Sequence, residues 1–586
     1  MDVRVDVFLD ELASIREIRS LFKEEFSWGP TLKAQLQSVA ADRRAREAVC
    51  LTDDLYDLNA LRAELVVSGF QRKLRDFQLT NLARIMNLPH GADFSVPGAG
   101  KTSVALAGFA LARARKQVER LVVVGPLAAF QSWKDEANVC LAATPSVFVH
   151  GGPGTYLPED IDILLTNYNR VSSDYDRVRA FVAARPSHVV LDEAHRIKRG
   201  ADGAHGRAVL DLAYAARRRD VLTGTPAPQG AFDLIALMRF LYPGQDRQIL
   251  PASAYLERDG RDEAVVREVG AAISRYFVRT PKSKLGLTQP VFNVVKEPMA
   301  PIQAAIYEAL LGRYRGLFAI KVESRREFDR LGRIVMYLLE AATNPMLLVA
   351  GSDAGDAAGF EHPPLDPADG AALADLLANY RSYETPWKYK RVVAIVSAAA
   401  ARGEKVLVWS SFVRNIRLLA YELRHFQPAT VHGGVPPLDS AAPGTITREA
   451  ELDRFRNDPD CAVLLANPAA CGEGVSLHHW CHHAVYLDRT FNAGHFLQSQ
   501  DRIHRLGLEE GVATTFTLLM SEGSIDETVD GRLRDKVIAL SGLMDDAGLV
   551  RAALPEADEG APEAPAFVDD MEAVLSHMCV VGTDAP

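Results

Sequence analysis

The sequence predicts an α/β protein with two parallel-sheet lobes. Three observations carry this. Short apolar runs rich in Val, Ile and Leu alternate with helical stretches in two separate blocks, 74–245 and 386–545. These runs are continuously apolar, not alternating, as strands covered by helices on both faces must be. At 586 residues, with 48% hydrophobic and 24% charged residues, the chain has the length for several cores and the composition of a globular protein.

Residues 1–73 read as a helical N-terminal accessory region, because Leu9, Leu12, Ile15, Ile18, Leu21 and Phe22 recur three and four apart with charges between them. In the first block the predicted strands are 121–125, 161–165, 188–191 and 220–222; in the second they are 405–409, 461–466 and 484–487. The intervening 246–385 reads as a helical insertion and linker, with a Gly-, Pro- and Asp-rich loop at 351–372. Residues 546–586 read as a largely disordered acidic tail, with eight acids against one Arg from 551 onward and one short docking helix at 567–580.

No apolar run approaches the roughly 20 residues that span a bilayer, so no membrane partner is expected. Acids occupy the N-terminal positions where a signal peptide needs basic residues. Six cysteines are too few for a disulfide framework in a chain this long, which points to a reduced, cytoplasmic setting. The net charge of −10 excludes a uniformly basic surface but not a local basic groove. Arg outnumbers Lys and Ala is abundant, which fits a GC-rich bacterial coding bias.

The strongest local signal is Ser95-Val96-Pro97-Gly98-Ala99-Gly100-Lys101-Thr102, followed by a helical run. A Gly-rich turn opening a helix aims backbone N–H groups and the positive dipole end at phosphate oxygens. Gly98, Ala99 and Gly100 would cradle the phosphates, Lys101 would reach the β and γ groups, and the Thr102 hydroxyl would ligate Mg²⁺. Ser95 stands where the strict pattern has Gly. Asp192 and Glu193 follow an apolar strand 91 residues after Lys101, at the sheet edge where open α/β folds bind ligands. Asp192 would hold Mg²⁺ and Glu193 would activate the attacking water.

With these sites in place, the chain resembles the Swi/Snf family of superfamily 2 helicase-like ATPases, over about 74–245 and 386–545. Gln78 resembles the adenine-reading glutamine. The stretch from Val122 to Leu127, with Trp133 and Glu136, resembles the motif facing the nucleic-acid backbone, and Thr166-Asn167-Tyr168 resembles the next one. Asp192-Glu193-Ala194-His195 continues as Arg196-Ile197-Lys198, close to the family form. Leu222-Thr223-Gly224-Thr225-Pro226 resembles the motif coupling hydrolysis to lobe movement. Arg279-Thr280-Pro281-Lys282, Gln303 with Tyr307, and Asn344-Pro345 resemble family-specific segments. In the second lobe, Trp409-Ser410-Ser411, Gly472-Glu473-Gly474 and Gln498 through Arg505 complete the series.

The resemblance implies two RecA-like lobes that close on Mg-ATP, with Gly474 and Gln498 at the nucleotide and Arg502 and Arg505 as arginine fingers. A planar guanidinium suits the charge of a γ-phosphate in transfer. It also implies contacts to duplex-DNA phosphates, for which Trp133, Lys134, Thr166, Arg196, Lys198, Arg199, Ser410 and Ser411 are the candidates. The densest basic run, Arg217-Arg218-Arg219, reads instead as a solvated helix end. Phe491-Asn492-Ala493 stands where the family has Trp-Asn-Pro, and the loop lacks the family's acidic start; both place the chain in a divergent, bacterial branch.

The cluster Cys471, His478, His479, Cys481, His482 and His483 invites a zinc reading, which the strand geometry opposes: neighbouring residues on a strand face opposite ways. The expected activity is a DNA-stimulated ATPase that translocates on double-stranded DNA and remodels or displaces bound protein. Three alternatives stand beside it: an RNA or strand-separating helicase, an ATP-clamped binding scaffold, and the motor subunit of a bacterial defence or repair assembly. In that last case the N-terminal helices would dock a protein partner.

Overall fold

The computed structural model describes residues 29–49, 57–198, 200, 203–256, 262–314, 325–353, 356, 361–367, 372–436, 441–442, 444–471, 475–509, 511–554 and 570–580. The amphipathic pattern between Leu9 and Phe22, Arg199 and most of the acidic tail lie outside them. The chain divides into two compact units. One runs to Pro281 and takes back Ala539–Asp546; the other comprises Lys282–Ile538 and resumes at Ala547.

The first unit begins with helices α1 (Pro30–Val49) and α2 (Leu58–Val67), the latter capped by the Asp57 carboxylate, which accepts from Asn59 N. Its sheet holds β1 (Gly91–Asp93), β2 (Arg120–Val124), β3 (Val147–Val149), β4 (Ile163–Thr166), β5 (Ser187–Asp192), β6 (Arg218–Leu222) and β7 (Phe277–Val278). All pairings are parallel, in the order β3-β4-β2-β5-β6-β1-β7. Strands β2, β4, β5 and β6 are buried almost throughout, the physical counterpart of their unbroken apolar runs. Helices α3 (Asp76–Asn87), α4 (Lys101–Ala114) and α5 (Phe130–Cys140) pack their apolar faces into the same core.

The second unit carries a six-stranded sheet, also parallel: β8 (Val291–Glu297), β9 (Lys405–Trp409), β10 (Ala429–Val431), β11 (Val463–Ala466), β12 (Cys481–Tyr486) and β13 (Thr515–Ser521), in the order β10-β11-β9-β12-β13-β8. The predicted α/β class with two parallel-sheet lobes is therefore what forms. The boundaries are not those expected. The stretch 246–385 is not a helical insertion throughout: β7 joins the first sheet and β8 the second. Two residues are too few to make a run, and β8 is a half-exposed edge whose Lys296 and Glu297 break the apolar pattern. Helices Pro301–Tyr314, Arg325–Thr343 and Ala372–Tyr383 supply the expected helical content. Helix Asp570–Val580 forms where a docking helix was expected, with Tyr307 Oη 3.0 Å from His577 Nε2.

The Arg217–Arg219 run is a correction. It does not end a solvated helix: Arg218 and Arg219 lie inside β6, at 6% and 3% exposure. Arg218 donates to the carbonyls of Ile85 and Leu88 and to the Asp220 carboxylate. Arg219 donates to the carbonyls of Ala213 and Leu241 and pairs with Asp42 of α1. His90 accepts Arg219 N at Nδ1, at 3.2 Å, and turns Nε2 to the Asp42 carboxylate at 3.0 Å. A buried guanidinium is tolerated because carbonyls and a carboxylate satisfy it. Sequence pattern misses this because neither the carbonyls nor Asp42 are local to the run. The same cluster, with Arg46 donating to Gln245 and Tyr276, fastens α1 to the first sheet.

Among the described residues no helix is long and apolar enough to cross a membrane, and Cys140, Cys461, Cys471 and Cys481 are buried free thiols. Cys481 Sγ bonds the Lys405 carbonyl, His482 Nε2 lies 2.9 Å from the His478 carbonyl, and His483 Nε2 lies 2.9 Å from Thr517 Oγ1. These partners are those of a strand and its flanks, and no group of three or more His, Cys, Asp or Glu among the described residues is placed to hold a metal ion.

Two outcomes follow from the α1 clip. Asp42→Ala strands the Arg219 charge in the interior, and loss of one partner of a buried pair costs about 3 kcal/mol; the denaturant midpoint of the first unit should fall and α1 become protease-sensitive. Burial, with Arg219 beside it, lowers the His90 pKa from 6.5 to about 4. The fold therefore holds His90 neutral while the unfolded chain takes up a proton. This contribution to stability is intact above about pH 6.5 and is lost as pH falls towards 4. A pH series of melting temperatures checks it, with the slope in that window reduced in His90→Gln.

Candidate nucleotide site

β1 delivers the chain to the loop 94–100, and α4 starts at Lys101. Gly98 and Gly100 both sit at φ 82°, the left-handed region that a Cβ disfavours. The loop is held from below. Ser95 is 1% exposed, and its hydroxyl accepts Thr280 N at 2.9 Å and Asn81 Nδ2 at 3.2 Å. That explains a serine where the strict pattern has glycine: the side chain turns inward, away from the phosphate path. Arg279 donates to the Phe94 carbonyl at 2.7 Å and is anchored in turn on Asp546. The family-like segment 279–280 thus works as the floor of the loop, with Asn81, a residue no motif had singled out.

Gln78 Nε2 donates to the Ala99 carbonyl at 3.0 Å, and its Oε1 accepts Arg75 N at 2.9 Å. The predicted adenine reader thereby also clamps the loop. Lys101 Nζ donates to the Ser95 carbonyl at 2.8 Å, which folds the ammonium back over the loop. The Thr102 side chain is half-buried at the first turn of α4. Gly224 of the Thr223-Gly224-Thr225 segment lies against the loop from the other side: a Cβ there would fall 2.6 Å from Pro97 Cδ.

Strand register brings the carboxylates to the same edge. Asp93 of β1 and Asp192 of β5 both pair with Leu222 of the intervening β6, which puts the two residues two strand spacings, about 10 Å, apart. Asp192 Oδ2 accepts the Trp133 indole N–H at 2.9 Å, its Oδ1 accepts Glu193 N at 3.0 Å, and its carbonyl accepts the Tyr168 hydroxyl at 2.8 Å. Burial pushes the Asp192 carboxyl up, against the Trp133 bond and the Lys101 charge. Burial also pushes Asp93 up, against the same Lys101 charge. Glu193 adopts a left-handed φ of 52° and stays partly exposed. Its Oε2 lies 3.4 Å from His195 Nδ1, which is 3.1 Å from Thr223 Oγ1. Asp93 belongs to no motif of the sequence and is brought to this edge by strand register alone, whereas His195 is the last residue of the Asp192–His195 motif, where sequence pattern assigns it no role.

In the second unit Arg502 donates to the Val475 carbonyl at 3.1 Å and Arg505 to Ser476 Oγ at 2.6 Å, so both guanidiniums hang on the segment after Cys471. Burial and the neighbouring Arg502 lower the Arg505 pKa. Lys282 pairs with Asp501, immediately before Arg502. Gln498 is 4% exposed. Gly474 lies outside the described residues.

The expected DNA contacts divide. Trp133 is 2% exposed and serves Asp192. Thr166 is fully buried, with Oγ1 3.0 Å from His150 Nδ1. Ser410 and Ser411 are buried, donating from Oγ and N to the Asp488 carboxylate. These four are corrections: Trp133, Ser410 and Ser411 meet carboxylates inside the protein, and Thr166 meets His150. Lys134, Arg196 and Lys198 keep exposed or half-exposed positions.

The donor set fits a magnesium-bound triphosphate: a loop with left-handed glycines at a helix start, an ammonium, a hydroxyl and a carboxylate on one sheet edge. Residues 94–346 match the family model for the SNF2-related domain. The chain is similar to the ISWI chromatin-remodeling complex ATPase ISW2 of Saccharomyces cerevisiae, 24% identical over 79% of this chain and 40% of that protein. It is similar to the ISWI chromatin-remodeling complex ATPase CHR11 of Arabidopsis thaliana, 24% identical over 86% and 47%. It is also similar to chromodomain-helicase-DNA-binding protein 8 of Xenopus tropicalis, 26% identical over 68% and 17%. The chain spans less than half the length of these relatives. A solved structure, the Sulfolobus solfataricus SWI2/SNF2 ATPase core in complex with dsDNA, aligns with 83% of this chain and 98% of its own, at 21% identity and a TM-score of 0.34.

A Cβ at Gly100 would sit 2.2 Å from Gln78 Nε2, on a backbone that resists one. Gly100→Ala should therefore displace Gln78 and weaken nucleotide binding at least 10-fold, measured with a fluorescent ATP analogue. Gly152→Ala, equally left-handed but facing open space, should leave that binding intact.

Proposed function

We propose that the chain, whose residues 94–346 match the SNF2-related domain, is a Snf2-family helicase-like ATPase that hydrolyses ATP in response to duplex DNA and uses each cycle to step along it, remodelling or displacing bound protein. The observation that carries the reading is the shared edge of the first sheet, where the Lys101 ammonium acts on the buried Asp93 and the half-buried Asp192 while Glu193 stays partly open to water. In this reading the N–H groups from Gly98 to Gly100 and the Lys101 ammonium hold the phosphates. Gln78 meets the adenine edge. Thr102 and Asp192 hold Mg²⁺, which when bound neutralises the charge of the transferred phosphoryl group.

Glu193 takes the proton of the attacking water, with His195 Nδ1 3.4 Å from its Oε2. Arg502 and Arg505 meet the γ-phosphate, with Lys282–Asp501 holding their loop. The resemblance assigns Gln498 and Gly474 to the nucleotide as well. Lys134, Arg196 and Lys198 are the cations proposed to face DNA phosphates. The relatives named as complex ATPases favour a second reading beside this one, in which the chain is the motor subunit of a larger assembly.

Phosphate release, measured without nucleic acid and with linear duplex, single strands or RNA, tests the proposal. Duplex DNA should stimulate most, and affinity should fall with salt by about 0.9 log units per log unit of salt for each phosphate contact. No stimulation by any duplex overturns it. Glu193→Gln should keep ATP binding and lower kcat 10²- to 10⁴-fold, whereas Lys101→Ala should lose binding itself. Arg502→Ala should lower kcat about 10³-fold or more with binding kept.

A further inference from the structure

We propose that Trp133 is a positioning residue of the nucleotide site, which sets the Asp192 carboxylate for the metal-bound nucleotide and does not contact DNA. The assignment rests on the nucleotide-site reading above. Helix α5 buries Phe130, Trp133, Ala137 and Cys140, an i, i+3, i+7, i+10 series that lies on one face. The indole is thus fixed by its own helix before any polar contact is counted. From that face Nε1 reaches Asp192 Oδ2 at 2.9 Å.

The carboxylate then has one N–H donor on each oxygen, the indole on Oδ2 and the Glu193 backbone on Oδ1. Two bonds from groups on different elements define its plane, which a single bond does not. Each oxygen keeps a further lone pair for a cation or its water. The end of β2 also passes close to this side chain: a Cβ at Gly125 would fall 3.1 Å from Asp192 Cβ and 3.7 Å from its Oδ2, so glycine leaves the space in which the carboxylate sits.

An indole N–H suits this task. It donates only and does not titrate, so it holds an ionised carboxylate without competing for the cation. Outer partners of a metal-binding carboxylate typically change metal affinity 10- to 100-fold when removed. The neighbouring Lys134 is only half-buried and turns to another side of α5, so one helix carries both the buried indole that meets Asp192 and a cation near the surface.

Trp133→Phe keeps an aromatic ring on that face and removes the N–H. The test is binding of a fluorescent ATP analogue to the full chain as free Mg²⁺ is varied, with a parallel series in EDTA. The half-saturating Mg²⁺ should rise about 10-fold or more, with affinity in EDTA unchanged. An unchanged Mg²⁺ midpoint, or the same loss with and without Mg²⁺, overturns the assignment in favour of simple packing. Failure of the unsubstituted chain to bind the analogue overturns the site reading, and this assignment with it.

If the variant does not fold, indole ¹⁵N–H spectra of the intact chain, which has five tryptophans, decide. A signal that shifts with Mg-nucleotide and loses that response in Asp192→Asn supports the proposal; no responding indole overturns it.

Discussion

The first unit is organised around one electrostatic constraint. The Lys101 charge acts on two carboxylates, Asp93, which is buried, and Asp192, which is half-buried, and burial drives the pKa values of both upward. Each ion taken from water costs several kcal/mol unless hydrogen bonds and an opposite charge replace what water gave. Here the replacement is complete enough to be traced bond by bond: Ser95 N on Asp93, Trp133 and Glu193 N on Asp192, and the Ser95 carbonyl on the ammonium itself. Parallel pairing supplies the spacing, because β6 stands between the two acidic strands and keeps them about 10 Å apart.

A charged cluster needs a rigid floor, and most of the residues that provide it do no chemistry. Arg279, Thr280 and Asn81 hold Phe94 and Ser95 from below, Gln78 holds Ala99 from the side, and Gly224 lets Pro97 come close. Arg279 in turn depends on Asp546, more than 250 residues later. The loop shape is therefore set by contacts with high sequence separation, and the two left-handed glycines make that shape accessible without strain.

The same logic explains why motif residues expected at DNA are buried. Thr166 ends β4 and Ser410 follows β9, and their buried hydroxyls need partners inside the protein. Thr166 turns to His150, and Ser410 and Ser411 turn to Asp488. Arg218 and Arg219 show the converse error: a basic run reads as surface, yet carbonyls at the end of α3 and around Leu241, with Asp42, accept it inside. Charge pattern reports what a side chain needs, and only the fold decides who meets that need.

The sequence by itself determined the α/β class, because unbroken apolar runs demand helices on both faces. It also determined the phosphate loop, because Gly-x-Gly-Lys-Thr is a local backbone and charge requirement contained in a few residues. The strands β9 and β5 and the pair Asp192–Glu193 were legible for the same reason. Only the tertiary structure decided that Asp93 joins the site, that Trp133 serves Asp192, that β7 and β8 belong to different sheets, and that Arg219 anchors α1. Each of these depends on strand register or on a partner far along the chain, and periodicity and spacing describe only what neighbours in sequence require of one another.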